Sequence, residues 1–233
     1  MDPRLSEEEE MLRRSALDFL TEKCPKSLVR EMEKDEKGYS PQLWKEIADL
    51  GWLGLIFPEK YGGADMDFVS LAVLLGEMGR ACFQGPFFST VLLGGLPVLD
   101  LGSEEQKEKY LPGIISGKTI FTMALTEPVG GYTAASIKVK ADAADGGYVI
   151  NGTKMWITNG PEASTYVVYA KTDPDAGPKG ITAFLIEKGT PGFSTAQKLD
   201  KLGMRGSNTC ELIFDHCEVP AENIIGQEGE GVK

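Results

Sequence analysis

The chain has 233 residues, of which 42% are hydrophobic and 25% are charged. This composition is that of an ordinary soluble globular protein and excludes collagen-like and disordered chains. The formal net charge is -11, and no basic patch offsets it, so phosphate backbones and anionic lipids are disfavoured as partners. We therefore expect no nucleic acid partner.

Metal binding, disulfide bonding and membrane insertion find little support in the sequence. The four cysteines form no C-x-x-C pair, and the chain has a single histidine, so we expect neither a disulfide scaffold nor a metal site. No run reaches the roughly 18 consecutive apolar residues that a membrane span needs. The sequence thus predicts a protein of a reducing intracellular compartment, with the cytoplasm as the default.

The first half of the chain has the periodicity of amphipathic helices. Ser6 and Glu9 form a capping box before the first helix. Ser40 as N-cap and Pro41 at the first helical position begin a second helix, which ends at Gly51. A third, over residues 68–78, is apolar nearly all round, which predicts burial at the centre of a bundle. Further helices are predicted over residues 87–101 and 103–111, the last of them closed by Pro112 and Gly113.

After Lys118 the hydrophobic pattern changes to alternation, in segments rich in Val, Ile, Thr, Tyr and Phe. About seven strands without helices between them indicate a sandwich or a small barrel. The predicted fold is thus α+β, with an all-α helical bundle in residues 1–118 and an all-β barrel or sandwich domain in residues 119–233. The strands are predicted over residues 119–126, 136–141, 148–158, 165–172, 181–187, 193–199 and 210–219.

Two predicted strand ends carry residues that could bind a flat redox ring. Thr126 lies at one end, and Trp156, Ile157 and Thr158 lie at the other, each followed by a glycine-containing turn. A planar apolar side chain with nearby hydroxyl and backbone donors suits such a ring, and glycines let backbone amides approach a phosphate. From spacing alone, a tryptophan in a strand is more often a core residue than a ligand-binding one, and threonines are common in strands.

Five short motifs resemble, in order and spacing, those of the flavin-dependent acyl-CoA dehydrogenases, and the likeness covers essentially the whole chain. They are PEKYGG at 58–63, MALTEP at 123–128, KMWITNG at 154–160, LGMRGSNT at 202–209, and FD with VP between 214 and 220. The resemblance implies an FAD cofactor and an oxidoreductase of fatty acid β-oxidation. It also leaves the mitochondrial matrix open as an alternative to the cytoplasm.

The resemblance assigns roles to particular residues. The positions that match Met123, Leu125, Thr126 and Trp156 to Thr158 line the isoalloxazine, with Thr158 at the N5 edge and Trp156 beside the ring. A carboxylate removes the α-proton of an acyl-CoA thioester while the β-hydrogen leaves as hydride to flavin N5, which gives the 2-enoyl-CoA. An electron-transfer flavoprotein then reoxidises the flavin.

The chain departs from the family pattern after the Thr-Glu-Pro motif. The family usually has a residue and then Ala-Gly-Ser-Asp, whereas this chain has Val129-Gly130-Gly131-Tyr132-Thr133. We expect Gly131 to contact the cofactor through its backbone. Tyr132 is expected either to bind the substrate through its ring and hydroxyl or to be a surface loop residue that leaves the site unchanged.

The second departure is length, because family members continue past Lys233 with a C-terminal four-helix bundle that is absent here. That bundle supplies the catalytic glutamate and most of the subunit interface. We therefore expect the catalytic base beyond Lys233, a homo- or hetero-oligomer formed through the missing domain, and an inactive chain in isolation. Two alternatives stay open: a non-catalytic or partner-dependent subunit of a heteromeric flavoenzyme, and an acyl- or CoA-binding module without redox activity.

Two carboxylates of the chain invite a catalytic assignment that the sequence does not support. Glu77 is near a helix end, where a carboxylate commonly reaches solvent or a cap. Glu127 is better explained as structural, and our hypothesis is that it pairs with Arg205.

Overall fold

A computed structural model of the chain describes residues 4–129, 133 and 136–232. These residues form two compact units, and each unit is built from separate stretches of the chain. The predicted domain boundary between residues 118 and 119 stays a prediction. The first unit comprises the residues up to Gly85 with Ile115–Gly117 and Leu202–Ser207, and the second comprises Pro86–Ile114, Lys118–Lys201 and the residues from Asn208 onward.

The first unit is helical, and its helices begin where the capping residues predict. Ser6 accepts a hydrogen bond from the backbone N–H of Glu9, whose side chain accepts from the Ser6 N–H. The Ser40 side chain likewise accepts from the backbone N–H of Leu43. A short second helix was not predicted. The helices are α1 (Glu7–Lys23), α2 (Lys26–Met32), α3 (Pro41–Asp49) and α4 (Phe68–Arg80).

Helix α4 packs along α1 with one face only, which corrects the expectation of a helix buried all round. Leu71 and Leu74 are fully buried, whereas Phe68 and Val69 at its start are 59% and 50% exposed. Elsewhere in this unit the indole N–H of Trp44 donates to the carbonyl of Gly117 at 2.9 Å.

The second unit starts with a π-helical segment, Phe88–Gly95, followed by α5 (Leu96–Leu101) and α6 (Glu104–Ile115). The backbone N–H of Ser103 donates to the Gln106 side chain, and that of Gln106 donates to the Ser103 hydroxyl, which confirms the predicted capping box. Pro112 lies inside α6 rather than at its end. The last turn persists past the proline because Leu111 and Ile114 are both fully buried.

One mostly antiparallel sheet forms the rest of this unit. Six of the predicted strands are present near their expected positions, one short strand is added, and the strand predicted over residues 136–141 lies instead at Lys140–Ala144. The order is β6-β7-β3-β2-β4-β5-β8, with β1 paired to β4. The sheet is open along this path. The strands are β1 (Phe121–Ala124), β2 (Lys140–Ala144), β3 (Gly147–Thr158), β4 (Thr165–Lys171), β5 (Ile181–Glu187), β6 (Phe193–Lys198), β7 (Thr209–Pro220) and β8 (Ile224–Ile225).

The sheet curls over a core, in keeping with the predicted barrel or sandwich. The ring of Phe193 on β6 stacks on Phe214 of β7 at 5.1 Å between centroids and meets Tyr166 of β4 edge-on at 4.7 Å. Since β6 and β4 are four places apart in the strand order, this contact requires strong curvature.

Strands β1 and β2 lie along the same side of β4. Strand β1 pairs with β4 in parallel from Phe121 to Ala124, and β2 reaches β4 through Lys140 and Lys171. The opposite side of β4 is occupied by β5 over its whole length. Strands β1 and β2 therefore share one side of β4, with β1 along residues 165–168 and β2 at residue 171.

The described residues show neither a membrane-spanning helix nor a cluster of metal ligands. No helix in them is long and apolar enough to cross a membrane. Within the same residues, no three His, Cys, Asp or Glu side chains are grouped so that they could hold a metal ion.

The cysteines offer a test of this packing. Cys82 is exposed, whereas Cys24, Cys210 and Cys217 are buried. Burial raises the pKa of all three buried thiols, for Cys210 to about 12 and for Cys217 to about 11. Because the thiolate is the nucleophile, we expect a thiol-specific disulfide reagent at pH 8 to modify one cysteine quickly in the native protein and four after denaturation. A second cysteine that reacts as fast as Cys82 would contradict this packing.

Candidate functional site

A β-bulge near the end of β3 shapes the candidate site. Lys154 pairs with Leu212 and Ile157 pairs with Cys210, so three steps along β3 oppose two steps along β7. Trp156 lies in the bulge with φ of 58°, a left-handed conformation that costs a bulky residue about 1–3 kcal/mol. A residue keeps such a strained conformation only where the surrounding structure holds it there.

The bulge turns the side chains of Trp156 and Thr158 outward, whereas strict alternation would bury them. Lys154 and Ile157 are 0% and 2% exposed, although they are three residues apart. Trp156 is 59% exposed, and Thr158 is exposed as well. In a regular strand, residues 154, 156 and 158 would share one face. Trp156 and Thr158 therefore owe their exposure to the single extra residue.

Hydrogen bonds join this part of β3 to the segment that begins at β1. The Thr122 hydroxyl donates to the carbonyl of Thr158 at 2.6 Å. The backbone N–H of Met155 donates to the carbonyl of Thr126 at 2.8 Å. Residues 122–126 thus lie beside residues 155–158.

A buried ion pair fastens the same two segments. Lys154 Nζ donates to Glu127 Oε1 at 2.7 Å and to the carbonyl of Leu125 at 3.0 Å. The Glu127 carboxylate also accepts from the backbone N–H groups of Lys138 at 2.6 Å and Val139 at 3.0 Å. One carboxylate therefore accepts hydrogen bonds from a side chain on β3 and from two backbone N–H groups that precede β2.

The environment of this pair is almost free of solvent. The exposed fractions of the Lys154 and Glu127 side chains are 0% and 3%. Burial lowers the pKa of Lys154 to about 8, while the attraction of Glu127 opposes that shift. Removing one member of such a pair costs about 3–5 kcal/mol, because the other charge is left buried alone.

The observed partners overturn the hypothesis that Glu127 pairs with Arg205. The partner of Glu127 is Lys154, and the Arg205 Nε lies 3.3 Å from Glu33. Arg205 and Glu33 are about half-exposed, so their attraction is weakened by solvent. The structural role expected for Glu127 stands, with a different partner.

Polar contacts also fix the chain beyond Thr158. Asn159 has φ of 54°, a region that asparagine tolerates better than most residues. Its backbone N–H donates to the carbonyl of Asn208 at 2.7 Å, and its side-chain amide donates to the Ser89 hydroxyl at 2.9 Å. Both Asn159 and Asn208 are buried. The end of β3 is therefore held on both sides of the exposed Thr158 side chain.

The predicted cofactor-binding residues occupy three kinds of position. Trp156 and Thr158 present their side chains to solvent. Ile157 points into the core, so its backbone is the part that a ligand could reach. Met123, Leu125 and Thr126 are half-buried. Two predicted residues, Gly131 and Tyr132, lie outside the described part of the chain.

Sequence reasoning missed Lys154 and the bulge that follows it. A signal for Lys154 exists, since it is four residues from the buried Ile150 and shares its face in an alternating strand. A lysine on a core face requires a buried partner. The bulge itself has no comparable signature, because Met155 and Trp156 are ordinary strand residues.

The arrangement fits a flat, partly apolar ligand. An aromatic side chain and a hydroxyl project from a strand end whose backbone is fixed by the bulge, the ion pair and Asn159. Half-buried Met123 and Leu125 add apolar surface on the adjoining segment. Rigid strand ends of this kind place binding groups accurately.

Comparisons with known proteins identify both parts of the chain. The acyl-CoA dehydrogenase N-terminal domain matches residues 6–118. The acyl-CoA dehydrogenase middle domain matches residues 122–217.

Individual relatives agree with these domain matches. A mitochondrial 2-methylacyl-CoA dehydrogenase from Solanum tuberosum is 53% identical over 194 residues, which are 82% of this chain and 47% of the relative. A mitochondrial isovaleryl-CoA dehydrogenase from Pongo abelii is 46% identical over 235 residues, covering 98% of this chain and 55% of the relative. The chain thus spans about half the length of the curated relatives that it matches.

Solved structures show the same fold. An acyl-CoA dehydrogenase complexed with FAD from Bacillus anthracis has a TM-score of 0.88 and 37% identity, over 99% of this chain and 40% of that one. The chain belongs to the acyl-CoA dehydrogenase family, whose N-terminal and middle domains it carries.

Proposed function

We propose that the chain is the FAD-binding part of a dehydrogenase that desaturates acyl-CoA thioesters. One observation carries the proposal: Trp156 and Thr158 are exposed together at a strand end that is held rigidly beside Met123, Leu125 and Thr126. These are the positions at which the family motifs line a flavin. An exposed tryptophan with a strained backbone adds little to core packing, and this favours a ligand-binding role for it.

Each residue has a definite part in this proposal. Trp156 offers its ring as an apolar neighbour of the isoalloxazine, and the Thr158 hydroxyl offers a donor at the flavin N5 edge. Met123 and Leu125 supply apolar contact, while Thr126 and Ile157 contribute through hydroxyl and backbone groups. Gly131 is proposed to contact the cofactor through its backbone, and Tyr132 to contact the substrate.

The proposed reaction is α,β-desaturation. A carboxylate takes the α-proton next to the thioester carbonyl, the β-hydrogen departs with its electron pair, and a 2-enoyl-CoA remains. Bound FAD supplies the acceptor for that hydride. The chain's own residues bind and orient the cofactor and exclude water from it.

The carboxylates considered above are not available as the base. Glu127 is buried and already accepts three hydrogen bonds. Glu77 is mostly buried, and its Oε2 lies 2.6 Å from the Arg80 Nε. We accordingly assign the base to neither residue and propose that it lies beyond Lys233.

The names of the relatives guide the proposed substrate and partners. Relatives named for isovaleryl-CoA and 2-methylacyl-CoA favour short branched acyl groups. We further propose an electron-transfer flavoprotein as acceptor, an oligomeric assembly and a mitochondrial or cytoplasmic location.

The first prediction concerns cofactor uptake. Purified protein incubated with FAD and freed of excess should retain flavin, seen as its visible absorbance and as quenching of its fluorescence. Quenching is expected because an aromatic ring lies against the flavin. Absence of retained flavin at micromolar concentrations would contradict the proposal for this chain and favour the alternative of a binding module without redox activity.

The second prediction separates cofactor binding from stability. Trp156→Ala should cost less than about 1 kcal/mol of unfolding free energy, because the ring is exposed, yet weaken FAD binding about tenfold or more. Trp44→Ala should cost about 3–5 kcal/mol of unfolding free energy, since Trp44 is 6% exposed, with little change in FAD affinity of the folded protein.

Phe68→Ala is the matched control, because Phe68 and Trp156 are equally exposed. Equal weakening by all three would refute the assignment of Trp156.

The third prediction concerns the reaction. Titration of the flavin-loaded chain with isovaleryl-CoA, 2-methylbutyryl-CoA and butyryl-CoA should leave the flavin absorbance unbleached, because both carboxylates above are engaged. Bleaching would show that a base is present within residues 1–233. If the flavin bleaches only after a second polypeptide is added, that result would support the alternative of a partner-dependent subunit.

A further inference from the structure

The buried Glu127–Lys154 pair stands out among the features of the second unit that the proposed function does not use. It lies one residue past Thr126 and two residues before Trp156, yet both members are sealed from solvent and so touch no ligand. The pair is therefore neither a catalytic base nor a binding group.

The hydrogen bonds of this pair tie three separate segments together. Lys154 is on β3, Glu127 and Leu125 follow β1, and the two backbone donors, Lys138 and Val139, precede β2. The carboxylate thus joins residue 127 to the backbone of residues 138 and 139. It also holds these residues against β3 at the residue where the bulge begins.

A buried ion pair of this kind adds little net stability compared with a well-packed apolar pair. What it adds here is a fixed arrangement, because each hydrogen bond tolerates only a narrow range of distances and angles. The pairing register of β3 must be specified closely, because a slip of one residue would exchange its buried and exposed faces. Anchoring Lys154 fixes the start of the bulge and with it the outward direction of Trp156 and Thr158.

We propose that Glu127 and Lys154 are positioning residues, which hold the FAD-binding segments 125–126 and 156–158 in the arrangement that binds the cofactor. The proposal rests on the proposed function for its ligand. It does not rest on that function for its structural part, since the three tied segments can be observed without flavin.

The amide of a glutamine tests the carboxylate. Glu127→Gln keeps the shape of the side chain but has one acceptor oxygen for three donors, so a buried N–H group loses its partner. We expect FAD affinity to fall about tenfold or more. In flavin-free protein, the backbone amides of Lys138, Val139 and Met155 should exchange with deuterium faster than in the unchanged chain.

A control variant measures how much affinity is lost through general destabilisation. Val219 is buried in β7 opposite Tyr148, six residues before Lys154 along β3. Val219→Ala removes core contacts without touching the three tied segments. It should leave FAD affinity within about twofold of the unchanged chain, and the exchange of the three amides unaltered.

The double variant distinguishes positioning from simple charge pairing. Lys154→Met alone leaves a buried carboxylate without its cation and is expected to destabilise the second unit. Glu127→Gln with Lys154→Met removes both charges, so thermal stability should recover toward that of the unchanged chain. FAD affinity and slow amide exchange should not recover, because the Leu125 carbonyl has lost its donor and one of the two backbone N–H groups that bonded separate carboxylate oxygens still lacks an acceptor.

The outcomes separate the two ideas. Recovery of FAD affinity together with stability in the double variant would show that the pair is only structural and would overturn the positioning role. So would Glu127→Gln protein that binds FAD as tightly as the Val219→Ala control. If the unchanged chain binds no FAD, the proposed function fails. Amide exchange that Glu127→Gln does not accelerate would then overturn the positioning of the segments as well.

Discussion

A lysine that is wholly buried inside a strand governs the geometry of the second unit. Lys154 cannot keep its charge there without a carboxylate, and Glu127 reaches it only if residues 125–127 lie alongside β3. The same carboxylate draws the residues before β2 to this point. One electrostatic requirement therefore brings together residues that are up to 29 positions apart in sequence.

The bulge that follows Lys154 exposes side chains beside the ion pair and so creates a surface that a ligand could contact. Without the extra residue, the aromatic and hydroxyl groups of β3 would fill the core, and the strand end would offer nothing to a ligand. With it, Ile157 takes the core position while Trp156 and Thr158 face outward. Strain at Trp156 is tolerated because residues on both sides of it are fixed by hydrogen bonds.

Much of the fold could be predicted because its signals are local. Capping boxes at Ser6 and Ser103 mark helix starts through contacts within four residues, and alternation marks the strands. Helix ends were harder, since burial of Leu111 and Ile114 overrides the breaking effect of Pro112. The motif resemblance named candidate site residues, but the inward direction of Ile157 depends on a bulge that no residue type predicts. The partner of Glu127 was missed for a similar reason: pairing across strands depends on register rather than on spacing.

The interleaving of the two compact units has a consequence for biosynthesis. The first unit includes Leu202–Ser207, and the second needs β7, which begins at Thr209. A nascent chain that has reached residue 201 therefore lacks parts of both units, although all its α-helices have already been made. At about 5–20 residues per second, the roughly 90 residues between the end of α6 and the start of β7 take several seconds to synthesise. Throughout that interval the Gln106 side chain of α6 lacks the carbonyls of Glu222 and Ile224 to which it donates in the folded protein, so this end of α6 is fixed only after residue 224 has been made.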